Sequence, residues 1–438
     1  TDYNPAGEDT LAQYAIDGMT PEVVVSPDSI ASLAAVVQLA SEYDYGIIPW
    51  GSGTKMDIGL PPTRADIIVQ LDRMNQVLEY EPADQAITVQ AGIRLSDLQS
   101  HLGSQGQYWP LDPPHGETCT LGGILATNAS GLLRMTFGTA RDIVIGLRVV
   151  QADGTIVKSG GKVVKNVAGY DLNKMYIGSL GTLGIMAEIT LKLQPLPEIG
   201  HIIIGLLPSI STVMDTAFKL LESDVMPTFI ELANPVLIAL LSRQVGGNSV
   251  DAGFPIIAGI MGQEETVKWQ VEACERLFQE MGAGQIVHME DERYQIALKL
   301  LRSFPTGQVV SSDMMSGITC RASVTPEQIE NLYQLAENRC QKSSMGCGML
   351  AHFSSGHMSF VFYQEVPFEE PHLDILAGII NDLQQAAVES GGSLVVEHAP
   401  AALKSRVEVW GPARDDLPIM RMLKNKLDPK GILNNCRF

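Results

Sequence analysis

Three glycine-dense stretches carry the residues best placed to do chemistry. PWGSGTKMDIG runs from Pro49 to Gly59, TLGGILATNASG from Thr120 to Gly131, and KNVAGYDLNKMYIGSLGTLGI from Lys165 to Ile185. Between positions 46 and 184 lie 20 of the chain's 41 glycines. Lacking a Cβ, glycine lets backbone N–H groups come close to a flat or anionic ligand. So many glycines in sequence point to a large ligand held by backbone over several contacts, not to one phosphate loop. Gly51, Ser52, Gly53 and Thr54 can form an anion-binding nest of N–H donors.

Two shorter motifs do not stand. Gly51-Ser52-Gly53 has the first half of a dinucleotide fingerprint, but no third glycine follows three residues later. The sequence shows no alternating strand–helix run of parallel type around it, so a nicotinamide site is not expected. Gly161-Lys162 is followed by Val163, not Ser or Thr, and is no P-loop.

The elements that must position these loops are legible in outline. SPDSIASLAAVVQLASEYDYG reads as a helix with Ser26 as cap, Pro27 at the first position and Gly46 as stop. Its apolar stripe is Ile30, Leu33, Ala34, Val37 and Ala40. GIIPW reads as the strand that delivers the Gly51 loop; ADIIVQL and AITVQAG are further strands. LSDLQSHLGSQG reads as a second helix. After QPLPE at Gln194 to Glu198 the texture changes to strands alternating with amphipathic helices, such as TVKWQVEACERLFQEMG and TPEQIENLYQLAENRC.

Composition sets the bounds. A chain of 438 residues, 45% apolar and 18% charged, builds a sizeable core in two or more domains. A formal charge of −20 excludes the basic footprint that nucleic acid needs and disfavours docking on anionic lipid. No apolar run reaches the ~18 residues of a membrane span. The six cysteines form no C-x-x-C pair, so an iron–sulfur cluster or structural zinc is not expected. Free thiols suit a cytoplasmic chain.

Taken in order, the glycine stretches resemble the FAD-binding domain of the vanillyl-alcohol-oxidase/PCMH flavoprotein family, over about Thr20 to Pro197. PWGSGTKMDIG is similar to its pyrophosphate loop, LDPP and TLGGILATNASG to the next flavin-contacting stretch, and FGTARDIVIG and GSLGTLGI complete the set. The tail, LVVEHAPAALKSRVEVWGP and LPIMRMLKNKLDPKGILNNCRF, resembles the C-terminus of the E-type FAD-binding subunits of glycolate oxidase. That branch works beside a paralogous flavin subunit and an iron–sulfur subunit. The family usually ends I-L-N-P-G-R; Asn435 and Cys436 here read as a local change at a surface terminus.

The resemblance implies an α+β fold. A PCMH-type, two-subdomain FAD-binding domain is expected over 20–197, and an α+β cap or substrate domain over 198–393. Residues 394–438 are expected to return and complete the FAD domain. It implies FAD as cofactor, lined by Gly122, Gly123, Ala126, Asn128 and Ser130, with Asp142 and Ile143 in the fourth stretch and Gly181, Gly184 and Ile185 on the adenine or pyrophosphate side. Lys55 and Met56 stand where some relatives place a flavin-linked His, so FAD is expected to be non-covalent; Cys119 and His115 are the nearest groups that could attach it.

For catalysis the resemblance implies oxidation of a small 2-hydroxy acid, by hydride transfer from the α-carbon to the flavin. Related dehydrogenases carry H-x-G-D-G-N-x-H and E-H-G, which supply two His and a Glu to a divalent metal and a His as base. Here the first motif aligns with HFSSGHMS. His352 keeps the first position, Ser359 replaces the second His, and His357 falls where Asn would be. If the segment is one strand, His357 points away from His352. Glu397-His398 survives from the second motif. No metal is therefore expected. His398 is the base candidate, with Glu397 and His352 beside it. Arg302, Lys404 and Arg406 are candidate anchors for the substrate carboxylate. Three readings follow: a glycolate dehydrogenase subunit, a stand-alone D-lactate-type dehydrogenase, or a flavin relay whose partner does the chemistry.

Overall fold

The computed structural model describes residues 11–161, 170–244, 253–307 and 315–437. Lys162, Val163 and Gly169 of the sequence argument lie outside these. The chain forms two compact units. One comprises positions up to 130, 137–196 and 413 onward; the other comprises 131–136 and 197–412.

The first unit begins with β1 (Val23–Val25), α1 (Ile30–Tyr43), β2 (Ile47–Trp50) and β3 (Ile67–Gln70). The three strands form a parallel sheet in the order β1-β3-β2. A small parallel strand–helix–strand unit thus precedes the Gly51 loop, contrary to expectation. The loop still runs on through turns rather than into a helix, so it lacks the dinucleotide arrangement. α1 starts later than expected. Ser29, not Ser26, is the cap, and Ser29 and Ser32 form a reciprocal capping box. It ends on Asp44, in left-handed conformation with φ 61°. Leu33, Val37 and Ala40 are buried, as the stripe predicts, and burying Leu33 and Val37 contributes about 1.5–3 kcal/mol each.

The same unit continues with β4 (Val77–Glu81), β5 (Ala86–Gln90), α2 (Leu95–Gly103), β6 (Gln107–Tyr108), α3 (Leu121–Thr127), β7 (Val144–Val150), β8 (Ile156–Gly160), β9 (Ile185–Lys192) and β10 (Gln194–Pro195). An antiparallel sheet orders these as β4-β5-β9-β7-β8. A core of Ile87, Val89, Leu98, Leu121, Leu125, Leu147 and Ile189 joins it to α2 and α3. Val150, Ile185 and Ala187 from this sheet also pack with Leu33, Val37 and Ile47, so the two subdomains share a core.

The chain's end closes this unit. In α10 (Leu417–Leu427), Lys424 reaches inward. Its ammonium donates to Asp428, to Thr182 O at 2.8 Å and to Leu433 O at 2.8 Å. The fully buried Asp428 carboxylate also accepts from Ile432 N–H (3.0 Å) and Leu433 N–H (2.8 Å). The turn so formed lays Ile432–Asn434 along β2: Ile47 N–H donates to Ile432 O at 2.6 Å, and Asn434 N–H to Ile47 O at 2.7 Å. Asn435 is not a surface substitution. It is buried, and its Oδ1 accepts from Thr63 N–H (2.9 Å), Thr63 Oγ1–H (2.7 Å) and Arg64 N–H (3.1 Å). Its Nδ2 donates to Arg64 O at 3.0 Å. A proline could make none of these side-chain bonds. Cys436 is exposed.

The second unit is built on one antiparallel sheet of eight strands. They are β11 (Ile199–Leu207), β12 (Phe229–Ala233), β13 (Phe254–Gly262), β14 (Gln285–Met289), β15 (Met315–Ser323), β16 (Gly346–His352), β17 (His357–Gln364) and β18 (Ser393–His398). Their order is β14-β11-β13-β12-β16-β17-β15-β18. α4 (Ile210–Glu222), α6 (Glu264–Glu280), α8 (Ile329–Lys342) and α9 (Glu370–Glu389) cover one face over a core that includes Ile203, Leu232, Ile256, Phe278, Phe360 and Phe362. α5 (Pro235–Gln244) and α7 (Asp291–Ser303) pack on the other with Ile202, Ile204, Phe229 and Ile257. The tail expected to return from residue 394 is divided: β18 pairs with β15, so residues up to 412 belong to this unit.

Removing Asp428 leaves the Lys424 ammonium buried without its counter-ion, which costs about 3–5 kcal/mol. Asp428→Ala is therefore expected to lower the first unfolding midpoint in urea and to loosen flavin retention. An unchanged midpoint would show that the tail turn does not hold the first unit together.

Candidate active site

A cleft open to solvent lies within the first unit. Gly51, Ser52, Gly53 and Thr54 line it together with Lys55 and Met56, which follow them. From α3 come Thr120, Gly123, Ile124, Ala126 and Thr127; Pro113, Pro114, Cys119, Leu180, Asn434 and Arg437 complete the wall. The loop and the helix touch closely. A Cβ at Gly51 would fall 2.1 Å from Thr120 Oγ1, and Thr120 caps α3 by accepting from Gly123 N–H at 3.3 Å. Gly53 has φ +75° and would place a Cβ 2.7 Å from the Trp50 indole.

The remaining expected residues are not among those lining this cleft. Gly122 is packed against Ala91, where a Cβ would be 3.0 Å from the Ala91 Cβ. Asn128 closes α3 in left-handed conformation. Ser130 follows it, outside the cleft lining. The Asp142 carboxylate forms a capping box with Thr139, accepting from its N–H at 2.8 Å and its hydroxyl at 3.1 Å. Ile143 and Ile185 are core residues. Gly181 has φ +71° and abuts Pro49; a Cβ at Gly184 would meet Val149 at 2.6 Å. Sequence reading missed Asn434 and Arg437 as wall residues, because they arrive from the distant tail, and passed over Leu180 for the glycines beside it. Arg437 is itself fixed, donating to Leu60 O at 2.9 Å and to Met56 O.

The cleft fits a dinucleotide with a flat ring. Gly51 and Gly53 keep its loop free of side chains at the positions where backbone must approach. Asn434 donates to Leu180 O at 2.6 Å, while its Oδ1 is buried without a partner among the described residues. A ligand bearing ring N–H groups would satisfy that acceptor. Burial pushes the Cys119 thiol up to about 12. His115 is held below its usual range by burial and by Lys55.

On the second unit's sheet a polar row crosses four strands. Glu231 on β12 is paired with His352 on β16, His352 with His357 on β17, and His357 with Ser323 on β15. Residues directly opposite one another share a face. His357 therefore lies on the same face as His352, contrary to expectation, because Phe353–Ser355 and Gly356 form a hairpin turn rather than continuing one strand.

Glu231 is 1% exposed, in a strand otherwise made of Phe229, Ile230, Leu232 and Ala233. Its carboxylate is hydrogen-bonded to His352 Nδ1. This partner was missed; a lone acid within FIELA was the signal. His357 Nδ1 faces Ser355 O at 3.0 Å and must donate to it, so its Nε2 accepts from the Ser323 hydroxyl at 3.3 Å. Burial, then Arg134 and Arg321, push the His357 pKa down to about 3. It is neutral and its lone pair is taken.

Glu397 and His398 also reach this face. The register steps from Cys320↔Val396 to Thr319↔His398, so Glu397 is the extra residue of a β-bulge. Arg321 Nε binds Glu397 Oε1 at 3.0 Å. His398 is exposed at the strand's end. Of the expected cations, Arg406 is held by Asp374 (2.9 Å), Glu370 and Ala402 O, and Lys404 is buried. Arg302 lies on α7. No cluster of three or more His, Cys, Asp or Glu suited to a metal occurs among the described residues. With a guanidinium on Glu397 and Ser359 opposite Arg321 in the sheet, these groups do not fit a divalent metal site.

The profile of the FAD binding domain matches residues 21–160, and that of the C-terminal domain of FAD linked oxidases matches residues 197–438. The chain belongs to this family of FAD-linked oxidases. It is an FAD-dependent oxidoreductase with the PCMH-type fold. It is 28% identical to glycolate oxidase subunit GlcD of Bacillus subtilis (strain 168), over 94% of this chain and 88% of that one. It is 26% identical to the mitochondrial cytochrome-type D-lactate dehydrogenase of Arabidopsis thaliana, over 94% and 72%. With D-2-hydroxyglutarate dehydrogenase of Xanthomonas citri pv. viticola the identity is 25%, over 94% and 88%. In fold it is similar to p-cresol methylhydroxylase (TM-score 0.78, 16% identity, 98% and 92% covered). Alkyldihydroxyacetonephosphate synthase gives a TM-score of 0.70 at 20% identity, with 95% and 77% covered. No helix among the described residues is long and apolar enough to cross a membrane.

Two outcomes follow. At pH 7 a thiol with a pKa near 12 is ionised in only about one molecule in 10⁵, so Cys119 is a poor nucleophile toward flavin. Acid precipitation is expected to release all FAD into the supernatant. Ser52→Asp, which adds a charge to the cleft without straining a glycine, is expected to reduce bound FAD several-fold. Yellow pellets, or full flavin in Ser52→Asp, would remove the respective assignment.

The second outcome concerns pH. His357 has a folded pKa of about 3, below the ~6.5 of an unfolded His, so the unfolded chain binds one more proton between those values. Its stability contribution is intact above pH 6.5 and falls by about 1.4 kcal/mol per pH unit below it. His357→Gln should flatten the fall in urea midpoint between pH 7 and pH 5. An equal fall in variant and wild type would show that His357 is not the buried neutral group.

Proposed function

We propose that this chain oxidises a small 2-hydroxy acid to the 2-oxo acid, as one flavin subunit of a glycolate-oxidase-type complex. The observation that carries the reading is the presence, in one chain, of a backbone-lined FAD cleft and a sheet face bearing three imidazoles and a guanidinium. The relatives named above act, by their names, on glycolate, D-lactate and D-2-hydroxyglutarate, all 2-hydroxy acids. The E-type tail favours a subunit role beside a paralogous flavin subunit and an iron–sulfur subunit.

In this reading Gly51 to Thr54 and Lys55 hold the pyrophosphate, and Gly123, Ala126 and Asn434 line the ring. Bound FAD supplies a two-electron acceptor for the hydride of the α-carbon. The polar face of the second unit carries groups whose chemistry suits a 2-hydroxy acid. Arg321 offers positive charge to the substrate carboxylate, and its bond to Glu397 fixes where that charge sits. Two imidazoles on this face can take the hydroxyl proton: His398, at the exposed end of β18, and His352. His357 cannot, since its lone pair already accepts from Ser323.

One observation favours a second reading. Ser359 replaces a metal-binding His of the related motif, and Arg321 occupies Glu397. A subunit relieved of metal chemistry could serve as an electron relay for its partner.

Anaerobic mixing of the FAD-loaded chain with glycolate or D-lactate separates these readings. Bleaching of the flavin, insensitive to EDTA, is expected for direct oxidation without a metal. Bleaching that needs added partner subunits is the relay's outcome. Bleaching abolished by EDTA and restored by a divalent ion would return a metal to the site.

A further inference from the structure

We infer that the outer faces of α1 and α10 form a self-complementary surface for a second copy of this chain, with α10 of each copy lying on the α1 end of the other. The inference concerns the first unit alone and does not depend on the reaction proposed above.

α10 is supported at few points. None of its residues is buried. Lys424 is fixed inward by its three bonds, and Leu427 packs against the core of the antiparallel sheet. Ile419, Met422 and Lys426, spaced i, i+3 and i+7, share the side turned to solvent. Ile419 is 57% and Met422 61% exposed, with Met420 and Leu423 exposed beside them. A helix of 11 residues is marginal in water by itself and normally gains its stability by burying an apolar face. Here much of that face is on the outside.

The end of α1 carries groups that match. Leu33, Val37 and Ala40 take its inner face. Leu39, Glu42 and Tyr43, at i, i+3 and i+4 spacing, share the outer one. Leu39 is 51% and Tyr43 62% exposed, and the Tyr43 ring stacks on Tyr45 with centroids 6.4 Å apart. Tyrosine and methionine are both enriched where protein surfaces meet.

Charge sets the pairing. α10 contains Arg421, Lys424 and Lys426 and no acid, whereas α1 contains Glu42 and no base. Lys424 is spent on Asp428, but Arg421 and Lys426 are exposed. Asp44, just past α1, is shared with Arg64 at 3.6 Å, while Glu42 is exposed in the last turn. An acid there stands against the helix dipole, so a cation from outside suits it. Setting α10 on α10 would oppose bases to bases, and α1 on α1 would oppose Glu42 to itself. The crossed arrangement joins unlike charges in both halves. The two elements also stand together in one copy: Lys430, just beyond α10, donates to Ser41 O in the last turn of α1. A two-fold axis beside them makes both crossed contacts at once, which closes the assembly as a dimer.

Sedimentation equilibrium of the full chain with FAD bound tests this. The expected species is a dimer that weakens as salt rises from about 0.05 M to about 0.5 M. Met422→Glu and Tyr43→Glu, at exposed positions, should each weaken it by about 10-fold or more, with FAD content and urea midpoint unchanged. Glu42→Lys and Lys426→Glu should each weaken it too, and the two together should restore it, because the swap keeps unlike charges opposed. Should Met422→Glu or Tyr43→Glu lose FAD or stability, the charge swap still decides. A dimer that the double variant does not restore overturns the inference. So does a dimer indifferent to Met422→Glu and Tyr43→Glu, or one that Lys426→Glu strengthens, the sign of α10 paired with itself. A monomeric wild type also overturns it. Flotation of that monomer with phosphatidylglycerol vesicles would give α10 to a lipid surface, and binding only to added partner subunits would give it to another protein.

Discussion

The first unit depends on one buried carboxylate. Asp428 accepts from two backbone N–H groups of the turn that follows it and from the Lys424 ammonium. That ammonium in turn binds Thr182 O, so the α10 end, the tail and the loop before β9 are fixed to one another. The tail can then lie along β2, and Asn434 reaches the cleft beside Leu180. A buried ion pair is weak evidence for stability when the alternative is apolar packing. Here it has a second use, because each partner also satisfies backbone groups that a hydrocarbon could not.

The second unit solves a different problem. Its sheet has two faces to cover, and alternation along each strand assigns residues to one or the other. Four long helices cover one face completely, so Cys320, Phe360 and Val396 on that side are apolar and buried. On the other face α5 and α7 pack over Ile202, Ile204, Phe229 and Ile257. The polar row from Glu231 to Ser323 occupies the same face further along the strand order. The bulge at Glu397 extends it to β18, which lets two adjacent residues serve one side of the sheet.

Much of this was readable from sequence, and the limits have physical causes. The apolar stripe of α1, the strand entering the Gly51 loop and the change of texture after Gln194 all come from local periodicity. The cap of α1 was misplaced because Ser26-Pro27 and Ser29 offer competing signals, and the reciprocal bond with Ser32 decides for Ser29. His357 was assigned to the wrong face because parity counts hold only within one strand, and Gly356, at φ +63°, turns the chain. The Asn435 clamp could not be read at all. Its partners, Thr63 and Arg64, are more than 370 positions away. Glycine spacing marked the cleft but not which glycines line it: Gly51 and Gly123 are in its wall, while Gly122 and Gly184 are packed closely against Ala91 and Val149.

Buried acids are expensive in any fold, and more so in a chain of net charge −20. Two of those buried here, Asp428 and Glu231, are partnered in different ways. Asp428 is met by backbone donors and a lysine whose ammonium is bound on three sides, a set that holds one shape. Glu231 is met by the imidazole of His352 on the neighbouring strand. The first arrangement suits a cofactor wall that must not move. The second sits in the middle of the sheet, on β12 between strands β13 and β16, where paired strands on both sides hold it.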